Sequence, residues 1–177
     1  LPRSISWEDA LNTNTNWVDL VTKTGVSTRN TFSVNYGNDR LKAYANISYD
    51  DTESFIKNDE YERFSGRFNI DYKILDNLKI GLNTSLSKGI YKQVNLGDTW
   101  RNAQSFTLPF YSPYQANGDL DNTFGNPLVE LNYRDRRNEE IRTINSISID
   151  YQPIKNLFLR GIFKICFYYK HIIFNIA

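Results

Sequence analysis

Apolar and polar residues alternate along several stretches of this 177-residue chain, as in a β-strand whose two faces differ. In one of them, Phe64, Phe68 and Ile70 alternate with charged and amide side chains. Tyr and Phe, which favour strands, make up most of the aromatic fraction of 15%. The sequence therefore predicts an all-β protein with about six strands. The alternating stretches are 30–36, 40–50, 61–74, 78–88, 140–151 and 157–163.

The connections between these stretches alternate between short and long. Short turns are predicted at 37–39, 75–77 and 153–156, and longer connections at 51–60 and 89–139. In an antiparallel up-and-down meander, alternate connections lie at the same edge of the sheet. We therefore expect all short turns at one edge and both long loops at the opposite edge, an asymmetry typical of outer-membrane barrels.

The length of the stretches favours strands that cross a membrane, which need ~9–11 residues, whereas strands of globular proteins average roughly 5–6. We expect a partial transmembrane β-barrel, about six strands of a larger one, with lipid against its apolar face. The alternative is a soluble β-sandwich, for instance a glycan-binding module, whose strands alternate in the same way. The predicted outer face contains Phe68, Ile70, Leu82, Ile147 and Ile149, and the predicted lumen-side face contains Arg67, Asn69, Asn83 and Ser148.

The chain divides into three predicted parts: an external loop at 1–28, the partial barrel at 29–163 and an unplaced tail at 164–177. In the first part, Asn16 is expected to cap a short helical turn that begins at Trp17, with Gly25 as its C-terminal glycine. The tail is left unplaced and is interpreted as a frameshifted or truncated end, with a further strand as the alternative. Because the chain contains no Met, we expect it to be a piece of a longer polypeptide.

Composition excludes several classes of function. Lys and Arg number 21 against 20 Asp and Glu, so the formal net charge of +1 gives no basic footprint for nucleic acid. Cys166 and His171 are the single residues of their kinds, which excludes a disulfide framework and a multi-His zinc site. No G-x-S-x-G motif is present. We therefore predict no catalytic residues, no metal and no cofactor, and a protein that is not an enzyme.

Acidic residues of the long loop resemble a calcium loop only superficially. Asp119, Asp121, Thr123 and Glu130 have part of the required spacing, but Phe124 stands where that motif needs Gly. We interpret these residues as a polar turn.

Charged residues near the predicted strand ends have simpler explanations than catalysis or binding. Asp50, Asp51 and Glu53 are expected to be solvated loop charges rather than a glycosidase pair. Arg63 and Arg67 lie on the polar face of one predicted strand. We expect them to pair with acidic residues of adjacent strands rather than to contact substrate.

Aromatic residues of the long loop are the best candidates for contact with a substrate. Trp100, Tyr111 and Tyr114 carry rings whose faces stack on sugar rings or peptide side chains. The alternative is that they fold the loop onto itself or against a partner. We predict all three as substrate-binding residues.

Several segments, in order and with their spacing, resemble the SusC/RagA family of TonB-linked outer-membrane proteins. Residues 14–19 with Thr24-Gly25 are similar to its N-T-D-W … T-G segment, and 31–37 to its L-S-V-S-G-G strand and turn. The stretches 44–49 and 61–71 resemble its Y-x-A-S-x-x-Y and Y-x-R-x-x-x-R-x-N-x-D strands. The segments 108–114, 117–118 and 126–128 are similar to its external loop, and 151–157 to its Y-x-P-I-K-G-L turn.

This resemblance implies a partial TonB-dependent receptor barrel at 29–163, with 89–139 as its long external loop. Such proteins lie in the cell outer membrane, in contact with lipid, and import glycans, oligosaccharides or peptides. The resemblance also implies a SusD-like surface lipoprotein as partner. Energy would come from TonB, which would bind a region upstream of this chain.

Overall fold

In the computed structural model, residues 7–94, 96–122 and 125–176 are described, and most of them lie in β-strands. The helices of this part of the chain are short, and none is long and apolar enough to cross a membrane. The strands are β1 (Ser27–Gly37), β2 (Leu41–Glu53), β3 (Glu60–Leu75), β4 (Leu78–Gln93), β5 (Arg134–Ile154) and β6 (Leu157–Ile176). The helices are α1 (Trp7–Asn12), α2 (Trp17–Val21), α3 (Leu96–Arg101), a π-helix (Asn102–Phe106) and α4 (Pro127–Tyr133).

The strands form one antiparallel sheet in which each pairs with its neighbours in chain order, β1 to β6. The short connections 38–40, 76–77 and 155–156 therefore lie at one edge, and the long connections 54–59 and 94–133 at the other. The predicted all-β meander is confirmed. The residues that the structure describes contain no second sheet, so they do not form the alternative β-sandwich.

The register of the strands separates an apolar face from a polar face. Ile70, Leu82 and Ile147 are direct partners on β3, β4 and β5 and so share one face. Asn69 and Asn83, one residue away on each strand, are partners on the other face. Because a shift of one residue would exchange the faces, the register decides the assignment. The two predicted sets of residues lie on opposite faces of the sheet.

The tail of the chain is a strand, which is the alternative to a frameshifted or truncated end. Residues 164–176 continue β6 and pair with β5, whereas the sequence left 164–177 unplaced. Ile, Phe and Tyr favour a strand, but Ile162, Cys166 and Tyr168 occupy the polar face, so the alternation is hidden there. Residue 177, like 1–6 of the predicted external loop, lies outside the described residues.

The predicted helical turn is present as α2, but Gly25 does not end it. Asn16 caps the helix by accepting a hydrogen bond from the backbone N–H of Asp19 at 3.3 Å, and the helix ends at Val21. A Cβ atom on Gly25 would come within 2.6 Å of the backbone carbonyl oxygen of Glu53. Gly25 is therefore required by the close approach of two backbones, not by a left-handed cap.

Buried apolar residues lie beyond the sheet, in what we call the loop cap, formed by 15–23, 54–59 and 94–133. Segments distant in the chain are tied together there: Trp17 donates its indole N–H to the carbonyl of Leu108 at 3.0 Å. The loop between β4 and β5 is shorter than the expected 89–139, because both strands extend further into it. The core of the loop cap contains Trp17, Val21, Ile56, Val94, Ala103, Leu128 and Leu131.

Candidate functional site

Trp100 lies on the outside of the loop-cap core. It is half-buried on α3, packed against the core, and its ring meets that of Phe55 edge-on, with centroids 5.3 Å apart. Phe55 itself is exposed. The edge-to-face contact orients both rings. The aromatic surface that a ligand could contact is therefore formed by Phe55 and Trp100 together.

Tyr111 and Tyr114 have different environments, although the sequence analysis grouped them. Tyr111 packs against the loop-cap core, and its backbone carbonyl accepts a hydrogen bond from the hydroxyl of Thr15 at 2.8 Å. Tyr114 is 49% exposed and pairs with Leu120 across a small turn whose tip is Gly118, at a φ of 88°. The structure therefore brings Trp100 and Tyr111 to one core and leaves Tyr114 on a separate, projecting turn.

Further exposed apolar side chains of the loop cap were missed by sequence reasoning, which considered only Trp and Tyr. Phe106 is 65% exposed at the end of the π-helix, and the guanidinium of Arg101 lies over its ring, 5.3 Å from the centroid. Leu108 and Phe110 are exposed on the following segment. The sequence signal that could have identified them is the presence of large apolar residues in a stretch otherwise rich in Asn, Ser and Gly. Together these side chains can bind by stacking and apolar contact.

Asp50 corrects an expectation. It was predicted as a solvated loop charge, but it lies in β2, is only 5% exposed and accepts hydrogen bonds from Arg29 and Arg63. Arg63 therefore has an acidic partner on an adjacent strand, as predicted. The prediction was wrong because Asp50 follows the last apolar residue of the predicted strand and was therefore assigned to the loop. The register that brings two arginines beside it is not visible in the sequence.

Two ion pairs near strand ends each join a strand residue to a connecting segment. Lys23 lies 2.7 Å from Glu53, and this hydrogen bond raises the pKa of Lys23 above its ordinary value. At the opposite edge, Lys73 lies 2.8 Å from Asp76 and lowers the pKa of Asp76. Both pairs are open to solvent, so screening keeps their contribution to stability small.

Acidic residues of the long loop make local contacts. The side chain of Asp119 accepts a hydrogen bond from Asn117 at 2.8 Å, and Asp121 is buried. Thr123 and Phe124, which belong to the calcium-loop comparison, lie outside the described residues. In 7–94, 96–122 and 125–176, three or more His, Cys, Asp or Glu side chains nowhere come together in an arrangement that could hold a metal.

Comparison with known proteins connects this arrangement to a family. No protein-family model matches the chain. The chain is 25% identical to the TonB-dependent receptor SusC of Bacteroides thetaiotaomicron, with 78% of this chain and 16% of SusC aligned. It is 24% identical to a TonB-dependent receptor of Formosa agariphila, with 85% and 16% aligned. The chain therefore spans about one sixth of the length of the curated relatives it matches.

Solved structures give the same result for the fold. The RagAB peptide importer in its closed-closed state superposes with a TM-score of 0.68 at 25% identity, covering 84% of this chain and 18% of that one. The RagAB peptide transporter superposes with the same TM-score at 20% identity, covering 90% and 19%. These relatives and neighbours are named as receptors, importers or transporters, and none of them as an enzyme. The predicted resemblance is confirmed: the chain is SusC/RagA-like in sequence and has the fold of part of a TonB-dependent receptor.

Proposed function

We propose that this chain is a segment of an outer-membrane transporter that imports glycans, oligosaccharides or peptides. In this proposal it works without catalysis, with a SusD-like surface lipoprotein as partner, and takes energy from TonB through a region upstream of residue 1. The family resemblance, with SusC and RagAB among the similar proteins, supports the transporter class. Six strands are fewer than the eight or so that a closed barrel needs, which supports a larger protein.

The observation that carries the proposal is the height of the apolar face. On β5, this face runs from Tyr151 to Ile141 with Asn145 and Thr143 as its polar members, and its first charged residue is Glu139. Ten residues rise about 34 Å along a strand, or about 26 Å along the membrane normal at a tilt of ~40°. The apolar band of an outer-membrane barrel is about 25 Å tall. The face therefore has the height that lipid requires.

A row of mostly charged residues, interrupted by Thr28 of β1 and Ile90 of β4, bounds this band on the loop-cap side. In the register, Asp51 of β2 is the partner of Glu62 of β3, and Glu139 of β5 is the partner of His171 of β6. One row nearer the short turns, Tyr49 lies opposite Phe64. Aromatic residues followed by charged ones are typical of the boundary between hydrocarbon and water. This boundary supports a loop cap that is outside the membrane, on the side where long loops face the exterior.

An epitope-tag experiment tests location and orientation. A tag inserted after Gly118, at an exposed loop tip, should be labelled by antibody on intact cells when the gene is altered at its chromosomal locus. A tag after Asp39, in a short turn at the other edge, should be labelled only after permeabilisation. Recovery of the wild-type protein as a soluble monodisperse monomer, or labelling at Asp39 alone, would contradict the proposal.

Replacing Tyr114 by Ala tests the proposed role of the loop aromatics. Because its ring projects from the core, its loss should reduce uptake or partner binding several-fold, as a stack of ~0.5–1.5 kcal/mol implies, without lowering the amount of folded protein. Tyr151→Ala, an exposed Tyr at the short-turn edge, is the matched control. Growth on oligosaccharides or short peptides as sole nutrient measures uptake. Unchanged uptake and partner binding would assign Tyr114 to packing of the loop.

The same uptake assay tests the two aromatics that lie against the core. Trp100→Ala and Tyr111→Ala should reduce uptake too, but also loosen the loop cap, because both rings pack on its core. Protease sensitivity of the loop cap separates the two effects. We keep all three residues as proposed substrate-binding residues, with Tyr114 as the cleanest test.

A further inference from the structure

One row of the polar face carries charge across the sheet just below the loop cap. Arg29 of β1 lies opposite Asp50 of β2, and Asp50 lies opposite Arg63 of β3. Asp50 Oδ1 accepts a hydrogen bond from Nε of Arg29. Asp50 Oδ2 accepts from Nε and Nη2 of Arg63 at 3.1 and 2.8 Å. One carboxylate is thus shared by two guanidinium groups, and the cluster keeps one uncompensated positive charge.

The two arginines use their donors differently. Arg63 gives two nitrogens to Asp50, whereas Arg29 gives only Nε. Across the described ranges, Nη1 and Nη2 of Arg29 have no partner, and its side chain is 71% exposed. With Nε bonded to Asp50, the N–H bonds of Nη1 and Nη2 at the end of the guanidinium remain available for a ligand. This leaves a fixed pair of parallel donors, the geometry that binds a carboxylate with two hydrogen bonds.

Two tyrosine rings form an aromatic surface on the same face, in the next row towards the loop cap. The rings of Tyr61 and Tyr91 stack with centroids 4.3 Å apart at an interplanar angle of 24°. Gly89 makes room for them, since a Cβ there would lie 3.3 Å from a ring carbon of each tyrosine. Tyr61 precedes Arg63 by two residues on β3, so the rings adjoin the guanidinium group of Arg63. Arg29, on β1, lies two strands away from Tyr61.

We propose that Arg29, held by Asp50, and the Tyr61–Tyr91 pair form a binding site for a carboxylate-bearing ligand at the loop-cap end of the polar face. The carboxylate binds the two terminal nitrogens of Arg29, and a later unit of the peptide or oligosaccharide, two strands away, packs on the rings. This inference rests on the proposed import function, because it takes the polar face as the wall of the transport path. It adds a ligand class: an acid, supplied either by a peptide C-terminus or by a uronic acid.

Equilibrium binding to the protein extracted from its own membrane in detergent tests the site. Two pairs of probes isolate the carboxylate: tetra-alanine against its C-terminal amide, and an oligogalacturonate against its methyl ester. The wild-type protein should bind the free acid of one pair about tenfold more tightly than its capped analogue. The pair that shows this preference identifies the source of the carboxylate, and the preference should fall as salt is raised.

Variants of the cluster provide the matched comparison. Arg29→Gln should remove the tenfold preference without changing the affinity for the capped probe. Arg29→Lys should keep only part of the preference, because an ammonium retains the charge but not the paired donors. Arg40→Gln removes the same charge at the short-turn edge and should leave the preference intact.

Three outcomes would overturn the site: no preference for the acid in either pair, a preference that survives Arg29→Gln, or an equal loss for acid and capped probes. Import is measured separately, as uptake of the same probes by intact cells. If the preference and its dependence on Arg29 are present but no probe is imported, the proposed function fails and the binding site stands.

Discussion

Replacing Leu82 by Arg should weaken folding in the membrane far more than replacing Asn83 by Arg. Leu82 lies on the apolar face between Ile70 and Ile147, whereas Asn83 faces the polar side beside Asn69. The two positions are adjacent in the chain and in the same strand. The effects of strand propensity, local backbone and distance from the turns are therefore nearly the same at both positions. The comparison isolates the effect of the face on which the side chain lies.

The expected magnitude follows from the position of Leu82 in the apolar band. On β4 the band runs from Leu78 to Leu86, so Leu82 lies four residues from either end. Four residues correspond to about 14 Å along the strand and about 10 Å along the membrane normal. At such a depth an Arg on the lipid face costs about 2–4 kcal/mol, falling to about 0–1 kcal/mol near the boundary. Leu78→Arg should therefore cost little, and Asn83→Arg, in contact with water, should cost about as little.

Urea unfolding of the purified protein in phospholipid vesicles measures these free energies, and immunoblots of outer-membrane extracts give the folded amount in cells. The order should be Leu82 well above Leu78 and Asn83. Equal destabilisation at Leu82 and Asn83 would refute the assignment of the faces. Equal destabilisation at Leu82 and Leu78 would refute the location of this face in a membrane, because the cost of Arg in a dry protein core has no such dependence on depth.

Three further predictions concern other contacts. Trp17→Ala should destabilise the loop cap by about 3–5 kcal/mol, seen as faster proteolysis there while the sheet persists, and Trp17→Phe by about 1–2 kcal/mol. Gly81→Ala should cost about 1–3 kcal/mol in urea unfolding because its new Cβ would overlap the hydroxyl of Ser148. Ser148→Ala should rescue part of the loss, because Oδ1 of Asp71 also lies 3.0 Å from the new Cβ, and Gly161→Ala, with open space around it, should be nearly neutral. Since folding raises the pKa of Lys23, its contribution should persist through neutral pH and be lost only as the pH rises above about 10.5, read as alkaline proteolysis of the loop cap.

The sheet could be predicted because its signal is local. Alternation with period 2 fixes which residues share a face within a strand, and turn residues fix where the strand ends. The same rule failed for the end of β6, where Ile162 and Cys166 stand on the polar face opposite Ser148 and Ile144. Because apolar residues there alternate with Lys164 and Lys170 on the polar face, the period of 2 is blurred, and pairing with β5 reveals the strand.

The candidate site was less predictable, because its contacts join residues far apart in the chain. The sequence singled out Trp100 and Tyr111 by residue type, but their burial depends on a core that includes Trp17 and Leu128. The environment of Asp50 depends on the registers of two strand pairs at once. Residue type and local pattern carry neither kind of information.

The bond between Trp17 and Leu108 has a consequence for the order in which the chain folds. It joins residues 91 positions apart, whereas the hairpin of β1 and β2 closes a connection of three residues. The loop-closure entropy of the longer contact is less favourable by about 3 kcal/mol. Pairing of β1 to β4 shortens the path between the two residues, so the hairpins should form first and the loop cap should dock last. Until the loop cap docks, the indole of Trp17 is exposed to solvent. During this interval a chaperone would have an exposed apolar segment to bind.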